Sequence, residues 1–271
     1  MGCCGSSCCN SERKRYPNLY MASQMTENLN KQIINKQFVK RLTTRSELLA
    51  VRDNPDVSPD VRAILTEPYS NVDKITDNLY LTGMGGLIKE NIESLYITCI
   101  INATYEAPNY LLPELQTFRV PVDDTSNDNI YPYFDEVADK INEIAAQNGR
   151  TIVHCVAGIS RSSTLVIAYL IKYKKRTLRD AFIHVRSKRS LSQPNIGFFR
   201  QLLDYETKVL GKSSVKIIKT IVEDIEVIVP DVFQEFPDLL MTMALNTKAS
   251  PKRKKNEIAD EYTNKSFTEN N

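Results

Sequence analysis

The pair His154–Cys155 ends the apolar run "RTIVHC", and an arginine and a serine follow it at Arg161 and Ser162. Between them lie Val156, Ala157, Gly158, Ile159 and Ser160, and the run "STLVIAYLI" that comes next is apolar all round when wound as a helix, the mark of a buried helix. With a strand before and a helix after, residues 156–161 form a tight turn at a helix amino terminus. Unpaired N–H groups converge there, and the helix dipole adds partial positive charge. Gly158 lets the backbone curl so that successive N–H groups point inward as an anion nest. A thiol at the base of such a ring is held as the nucleophilic thiolate. Arg161 can fork two N–H bonds onto a tetrahedral oxyanion, which a lysine does less well. Together these parts bind a phosphate and attack its phosphorus.

The departing oxygen needs a proton. The polar stretch "VPVDDTSNDNIYPYF" upstream supplies three candidate acids, Asp123, Asp124 and Asp128. A buried cysteine taken alone is ordinarily inert packing. The histidine, glycine, arginine and serine at these offsets, with an acidic loop upstream, favour catalysis instead. His154 reads as an orienter of the cysteine loop, because the acid role already has candidates. His184 lies off the apolar face of its helix and reads as an exposed surface histidine. Asn195 in "QPN" reads either as a brace for the loop or as an ordinary helix start. "GMGG" at 83–86 is not a nucleotide fingerprint, since no strand–glycine–helix unit with a following acid surrounds it.

The elements that must hold these residues follow from periodicity. "ITDNLYLTG" reads as a strand, "YITCIINAT" as a buried strand ending near Asn102, "TFRVPV" as a third and "RTIVHC" as a fourth. A helix with Pro132 in its first turn carries Phe134, Val137, Ala138, Ile141, Ile144 and Ala145 at three-and-four spacing and is closed by Gly149. A second carries Leu178, Ala181, Phe182 and Val185, with Thr177 and Asp180 placed as a capping box. A third runs through Phe198, Phe199, Leu202, Leu203 and Val209. Strands alternating with helices predict an α/β domain over 70–210. Residues 211–244 are apolar enough to pack back on it and to add a strand, and 245–271, with "PKRKK", read as a disordered polar tail.

The chain has 271 residues, 42% of them hydrophobic and 25% charged, with a net charge of +2. That balance implies no nucleic-acid partner. Residues 1–50 carry +5, leaving −3 for the rest. Residues 1–69 therefore read as a basic, largely disordered arm suited to an anionic membrane. No apolar run has the length of a membrane span, and the polar start excludes a secretory signal. Four of the six cysteines fall within the first nine residues, which is not the spread of a disulfide scaffold and implies a reducing, intracellular compartment. "MGCCGSSCC" fits N-myristoylation at Gly2, with Cys3 and Cys4 as natural palmitoylation sites and Arg13, Lys14 and Arg15 nearby. One lipid binds marginally and two hold firmly. The expected location is the cytoplasmic face of the plasma or another intracellular membrane. A zinc site is disfavoured because adjacent cysteine pairs lack metal-ligand spacing. Import to the nucleus through "PKRKK" is the lesser alternative.

"HCVAGISRS" matches the signature of cysteine-dependent protein tyrosine phosphatases. The blocks "ITDNLYLTG", "INATYE", "VPVDDTSND", "HCVAGISRSSTLVIAYLIKY" and "SQPNIGFFRQLLDYE" resemble, in order, those of the dual-specificity phosphatase family. "GKSSVKIIKT" and "VIVPDVF" resemble the carboxy-terminal extension of its small, atypical members. The resemblance implies a single domain with a twisted, mixed but mostly parallel sheet flanked by helices. It also implies hydrolysis of phosphotyrosine and phosphoserine or phosphothreonine through a cysteinyl phosphate, with no metal and no cofactor, in a shallow cleft. By the same resemblance Cys155 is the nucleophile and Arg161 the phosphate clamp, with residues 156–160 cradling the phosphate. Ser162 is the hydroxyl that helps Cys155 leave. The family's acid stands ten residues ahead of Phe134, which selects Asp124, with Asp123 next.

Implied partners are phosphorylated proteins, with kinases of signalling cascades as a further possibility because "VKRLTTRSELLAV" faintly resembles a kinase-docking peptide. About 70 residues ahead of the domain leave no room for the kinase-docking domain of larger members. The competing readings are a phosphatase for a non-protein phosphate ester and a catalytically weak phosphoprotein scaffold. Val156 and Ile159 weigh against the first, because phosphoinositide relatives carry lysines in this loop. The presence of cysteine, arginine and acid together weighs against the second.

Overall fold

The sheet is built so that four strand ends meet at one edge. In the computed structural model, which describes residues 44–249 apart from 108, 110, 111 and 113, the five strands are β1 (Asp73–Thr76), β2 (Leu79–Thr82), β3 (Cys99–Asn102), β4 (Gln116–Arg119) and β5 (Thr151–His154). Their order is β1-β2-β5-β3-β4. β5 lies between β2 and β3, parallel to both, and β4 is parallel to β3; only β1 runs antiparallel, against β2. This is the mixed, mostly parallel α/β sheet expected from the sequence. β2, β3 and β5 are buried at every position, as strands covered on both faces must be. Ligand sites in such sheets form beyond the carboxyl ends of the strands. Here those ends deliver Gly83, the 103–107 loop, the 120–131 loop and the 155–160 loop to the same side.

Helices cover both faces: α3 (Lys89–Ser94), α4 (Phe134–Ala146), α5 (Arg161–Lys174), α6 (Leu178–Lys188) and α7 (Ile196–Leu210). From Arg161 to Ile171 every residue of α5 is buried, which is why its sequence is apolar all round. α4 presents Phe134, Val137, Ala138, Ile141 and Ile144 to the same core as α5. Thr177 caps α6 by accepting the Asp180 N–H, and Asn195 caps α7 by accepting the Phe198 N–H.

Three expectations need correction. "ITDNLYLTG" is two strands: β1 and β2 form a hairpin across Asp77–Asn78, with a register shift between Lys74 and Thr76. The segment 211–244 does not extend the central sheet. Among the described residues β6 (Ile217–Val222) and β7 (Ile225–Pro230) pair only with each other, turning at Glu223 and Asp224, both at positive φ. They lead through a 3-10 turn to α8 (Pro237–Ala249), which continues past the expected boundary at 244. This extension joins the main core: Phe233 stacks on Phe182 at 5.4 Å and meets Phe199 edge-on at 5.6 Å. A buried phenylalanine contributes up to about 3 kcal/mol by area.

The third correction concerns the arm. Its part from 44 to 69 is structured, with α1 (Arg45–Asp53) and α2 (Pro59–Ile64). Thr44 and Glu47 form a capping box on α1, and Ser58 with Pro59 starts α2. The expectation failed because α1 buries nothing, so no apolar stripe marks it. α2 buries only Val61 and Ile64. The expected lipid-bearing residues Gly2, Cys3 and Cys4, the basic cluster and the "PKRKK" tail lie outside the described residues.

Candidate active site

Cys155 follows directly from the last residue of β5, and Arg161 is the first residue of α5. The loop between them is buried except at Ile159. Its carbonyl oxygens are all engaged from outside. Val156 O accepts the Met84 N–H at 2.9 Å, and Ile159 O accepts the Gln193 N–H at 2.9 Å. Ser160 O accepts the Thr164 amide and hydroxyl at 2.9 and 2.8 Å. Ala157 O and Gly158 O accept from Arg189 at 3.0 and 2.7 Å. The amides of Val156 to Ser160 donate to no acceptor among the described residues. With the carbonyls turned out, the N–H groups are left to converge, the geometry of an anion nest. Gly158 sits at φ +68°, and a Cβ there would come within 2.6 Å of Gly83 N; no other residue fits without moving the loop.

Arg161 is 1% exposed. Its Nη1 donates to Val122 O at 3.2 Å and lies 2.9 Å from Glu106 Oε1, a charge contact not aligned as a hydrogen bond. Its Nε is 3.8 Å from Asp124 Oδ2 and makes no hydrogen bond among the described residues. Burial works against the guanidinium charge, but Asp124, Cys155 and Glu106 outweigh it and raise its pKa above the ordinary arginine value. A buried cation with an unspent donor is suited to an oxyanion. Cys155 Sγ lies 3.2 Å from Ser162 Oγ, both buried, so the hydroxyl is in reach of a thiolate.

The three aspartates of the acid loop separate by geometry. Asp128 accepts the N–H groups of Asp123 and Asn129. It holds the loop together. Asp123 is exposed. Asp124 points inward, its Oδ2 toward Arg161 and its Oδ1 accepting from the Asn195 side-chain amide at 3.0 Å. That amide also donates to Thr125 O at 3.3 Å, and the Asn195 backbone N–H donates to Ser160 Oγ at 3.0 Å. One residue at the start of α7 thus ties the acid loop to the cysteine loop. Gln201, on the same helix, accepts from Ile130 and Tyr131 N–H and donates to Asp128 O.

His154 is fully buried, and burial lowers its pKa to about 4. Its Nδ1 stands 3.3 Å from the Cys155 carbonyl, which can only accept, so the neutral ring carries its proton on Nδ1. The position suits an orienter. His184 is half-buried rather than exposed, with Nε2 2.9 Å from Ile75 O.

Two charged residues of the site escaped sequence reasoning. Glu106 sits in "INATYE", where nothing in its spacing links it to Arg161, 55 positions on. Its loop is held by Arg119 Nε on Thr104 O at 3.1 Å and by Asn102, whose amide donates to Ala107 O at 3.0 Å. Arg189 is 2% exposed, and nothing in its neighbours "SKRS" marks that burial.

Residues 79–208 match the family model described as "Dual specificity phosphatase, catalytic domain". Over 176 residues the chain is 42% identical to human "Dual specificity protein phosphatase 14", covering 64% of this chain and 86% of that protein. It is 35% identical over 175 residues to human "Dual specificity protein phosphatase 18", covering 64% and 91%. The fold is similar to "Crystal structure of human DUSP28", with a TM-score of 0.51 and 25% identity over 54% of this chain and 97% of that one. Fold, motif and similarity agree, and the chain belongs to the dual specificity phosphatase family.

Proposed function

We propose that the chain is a protein phosphatase that hydrolyses phosphotyrosine and phosphoserine or phosphothreonine through a phosphoryl group carried on Cys155. The observation that carries the reading is the loop itself, with its carbonyls tied outward, its amides unspent, a cysteine at its base and a buried arginine beside it. A phosphate seated there meets the amides of 156–160 and the Arg161 guanidinium, stabilising charge as the phosphorus passes through its transition state. Cys155 Sγ attacks, the P–O bond to the substrate oxygen breaks, and Asp124 gives that oxygen its proton. Water then attacks the cysteinyl phosphate, Asp124 takes the water's proton, and Ser162 Oγ donates a hydrogen bond to the departing sulfur. Inorganic phosphate and the free thiolate result. A panel of phosphotyrosine, phosphoserine and phosphothreonine peptides, run with Cys155→Ser as the control, tests the reading. Cleavage of phosphotyrosine alone makes the protein tyrosine-specific.

The amino-terminal sequence supports attachment to a cytoplasmic membrane face, by myristoylation at Gly2 and acylation at Cys3 and Cys4, reinforced by Arg13–Lys14–Arg15. Kinases of signalling cascades are then partners within reach of that surface. Gly2→Ala shifts the protein to the soluble fraction with unchanged turnover of a small aryl phosphate. A wild-type protein that fractionates as soluble, unmoved by Gly2→Ala, removes this part of the proposal.

A further inference from the structure

Helix α2 lies ahead of the matched family region, yet it reaches the cysteine loop. Val61, Ile64 and Val156 are 4%, 1% and 3% exposed and form a small apolar cluster separate from the main core, bordered by Val57, Leu65 and Met84. Val156 is the residue bonded to Cys155. Its other fixed point is its carbonyl, which accepts from Met84 N. The side chain of the first residue of the nest thus packs with Val61 and Ile64 of α2, and its backbone is held by the turn after β2.

α2 is itself anchored at several points. Arg62 Nη2 donates to Asn54 O and Pro55 O at 3.0 and 2.9 Å, joining α2 to the end of α1. The Arg45 N–H donates to both carboxylate oxygens of Glu90 at 3.0 and 3.1 Å, joining α1 to α3. Beyond α2, Tyr69 O and Asn71 O accept from Arg189, the side chain that also holds Ala157 O and Gly158 O. The segment from 45 to 71 therefore forms a strap fixed at both ends, with Ile64 and Val61 pressing on Val156 between them.

We propose that Val61 and Ile64 are positioning residues for the catalytic loop, setting through Val156 where Cys155 Sγ and the nest amides stand. The proposal rests on the phosphatase reading for its kinetic consequence. The physical cause is close packing: a cavity beside Val156 lets the loop relax toward it, and displacements well under 1 Å lower catalysis in a site whose work is positioning. Neither side chain touches substrate.

The test uses the full chain with Ile64→Ala, Val61→Ala and the conservative Ile64→Val. Two quantities are read: kcat and KM on an aryl phosphate, and the rate at which iodoacetate alkylates Cys155, followed by mass spectrometry. Ile64→Ala lowers kcat roughly 5- to 20-fold with KM moved by less than about threefold, slows alkylation by a similar factor, and Ile64→Val restores both to within about twofold. Values of kcat and alkylation rate in Ile64→Ala within twofold of wild type overturn the proposal, even if the unfolding temperature falls. Should Ile64→Ala fail to fold, a Val61→Ala protein unchanged in both quantities overturns it equally. The alkylation rate does not require turnover. A wild-type protein without phosphatase activity defeats the phosphatase reading, and the alkylation comparison still decides the strap.

Discussion

The Asn195 side-chain amide donates to Asp124 Oδ1 at 3.0 Å while the Asn195 backbone N–H donates to Ser160 Oγ at 3.0 Å. The acid and the phosphate cradle are thereby referenced to one point at the start of α7. The same helix turn crowds the acid loop: a Cβ on Gly197 would stand 1.9 Å from Ser126 O and 2.7 Å from Ser126 Cα. Backbone against backbone leaves no room, so the acid loop is seated against α7 before substrate arrives.

Asp124→Asn therefore slows turnover of phosphotyrosine roughly 100- to 10,000-fold, and less on an activated aryl phosphate whose oxygen leaves unaided. Asp123→Asn, at an exposed position, changes neither by much. A reversal of these two patterns moves the acid by one residue. Gly197→Ala, which touches no substrate, pushes the loop away and lowers turnover of the poor leaving group roughly 10- to 100-fold. Steady-state kinetics on both substrates measures all three.

Arg189 makes five contacts at once, to Gly158 O, Ala157 O, Tyr69 O, Asn71 O and Asp73 Oδ2. Arg189→Met leaves four buried or half-buried carbonyls without that donor, and costs on the order of 3 kcal/mol in chemical unfolding. It also releases the two loop carbonyls that keep the nest open, so vanadate inhibition weakens at least about tenfold by loss of preorganisation. Stability lost with vanadate affinity intact would make Arg189 a strut and nothing more.

His154 gives a pH signature. Its pKa is lowered to about 4 by burial, against about 6.5 in an unfolded chain. Between these values the unfolded chain binds more protons than the native protein, so stability falls as pH drops. The stability owed to neutral His154 is complete above about pH 6.5 and is lost toward pH 4, by roughly 3 kcal/mol. Denaturant unfolding from pH 7 to 4 shows this slope in the wild type. His154→Asn loses that part of the slope.

The chemistry was legible because the site is largely local in sequence. Cys155, the nest, Arg161 and Ser162 lie within eight consecutive residues, and their function depends on a strand–turn–helix unit whose periodicity changes visibly across it. What holds that unit is not local. Arg189 works on a loop about 30 residues earlier and Glu106 on a helix 55 residues later. A lone charged side chain has no pattern by which its burial can be read. The hairpin in "ITDNLYLTG" was hidden because β1, Asp73–Thr76, carries one buried apolar residue, Ile75, too few to mark a strand of its own ahead of Asp77–Asn78. The strap was hidden because its contact with the site is two aliphatic side chains on a six-residue helix.

The most direct test of the central claim is an acid quench during steady-state turnover of an aryl phosphate, followed by peptide mass spectrometry. The account predicts one phosphoryl group on Cys155, more of it in Ser162→Ala because the sulfur leaves less readily, and none with turnover abolished in Cys155→Ser. Near wild-type turnover by Cys155→Ser, or a phosphoryl group on any other residue, would contradict it.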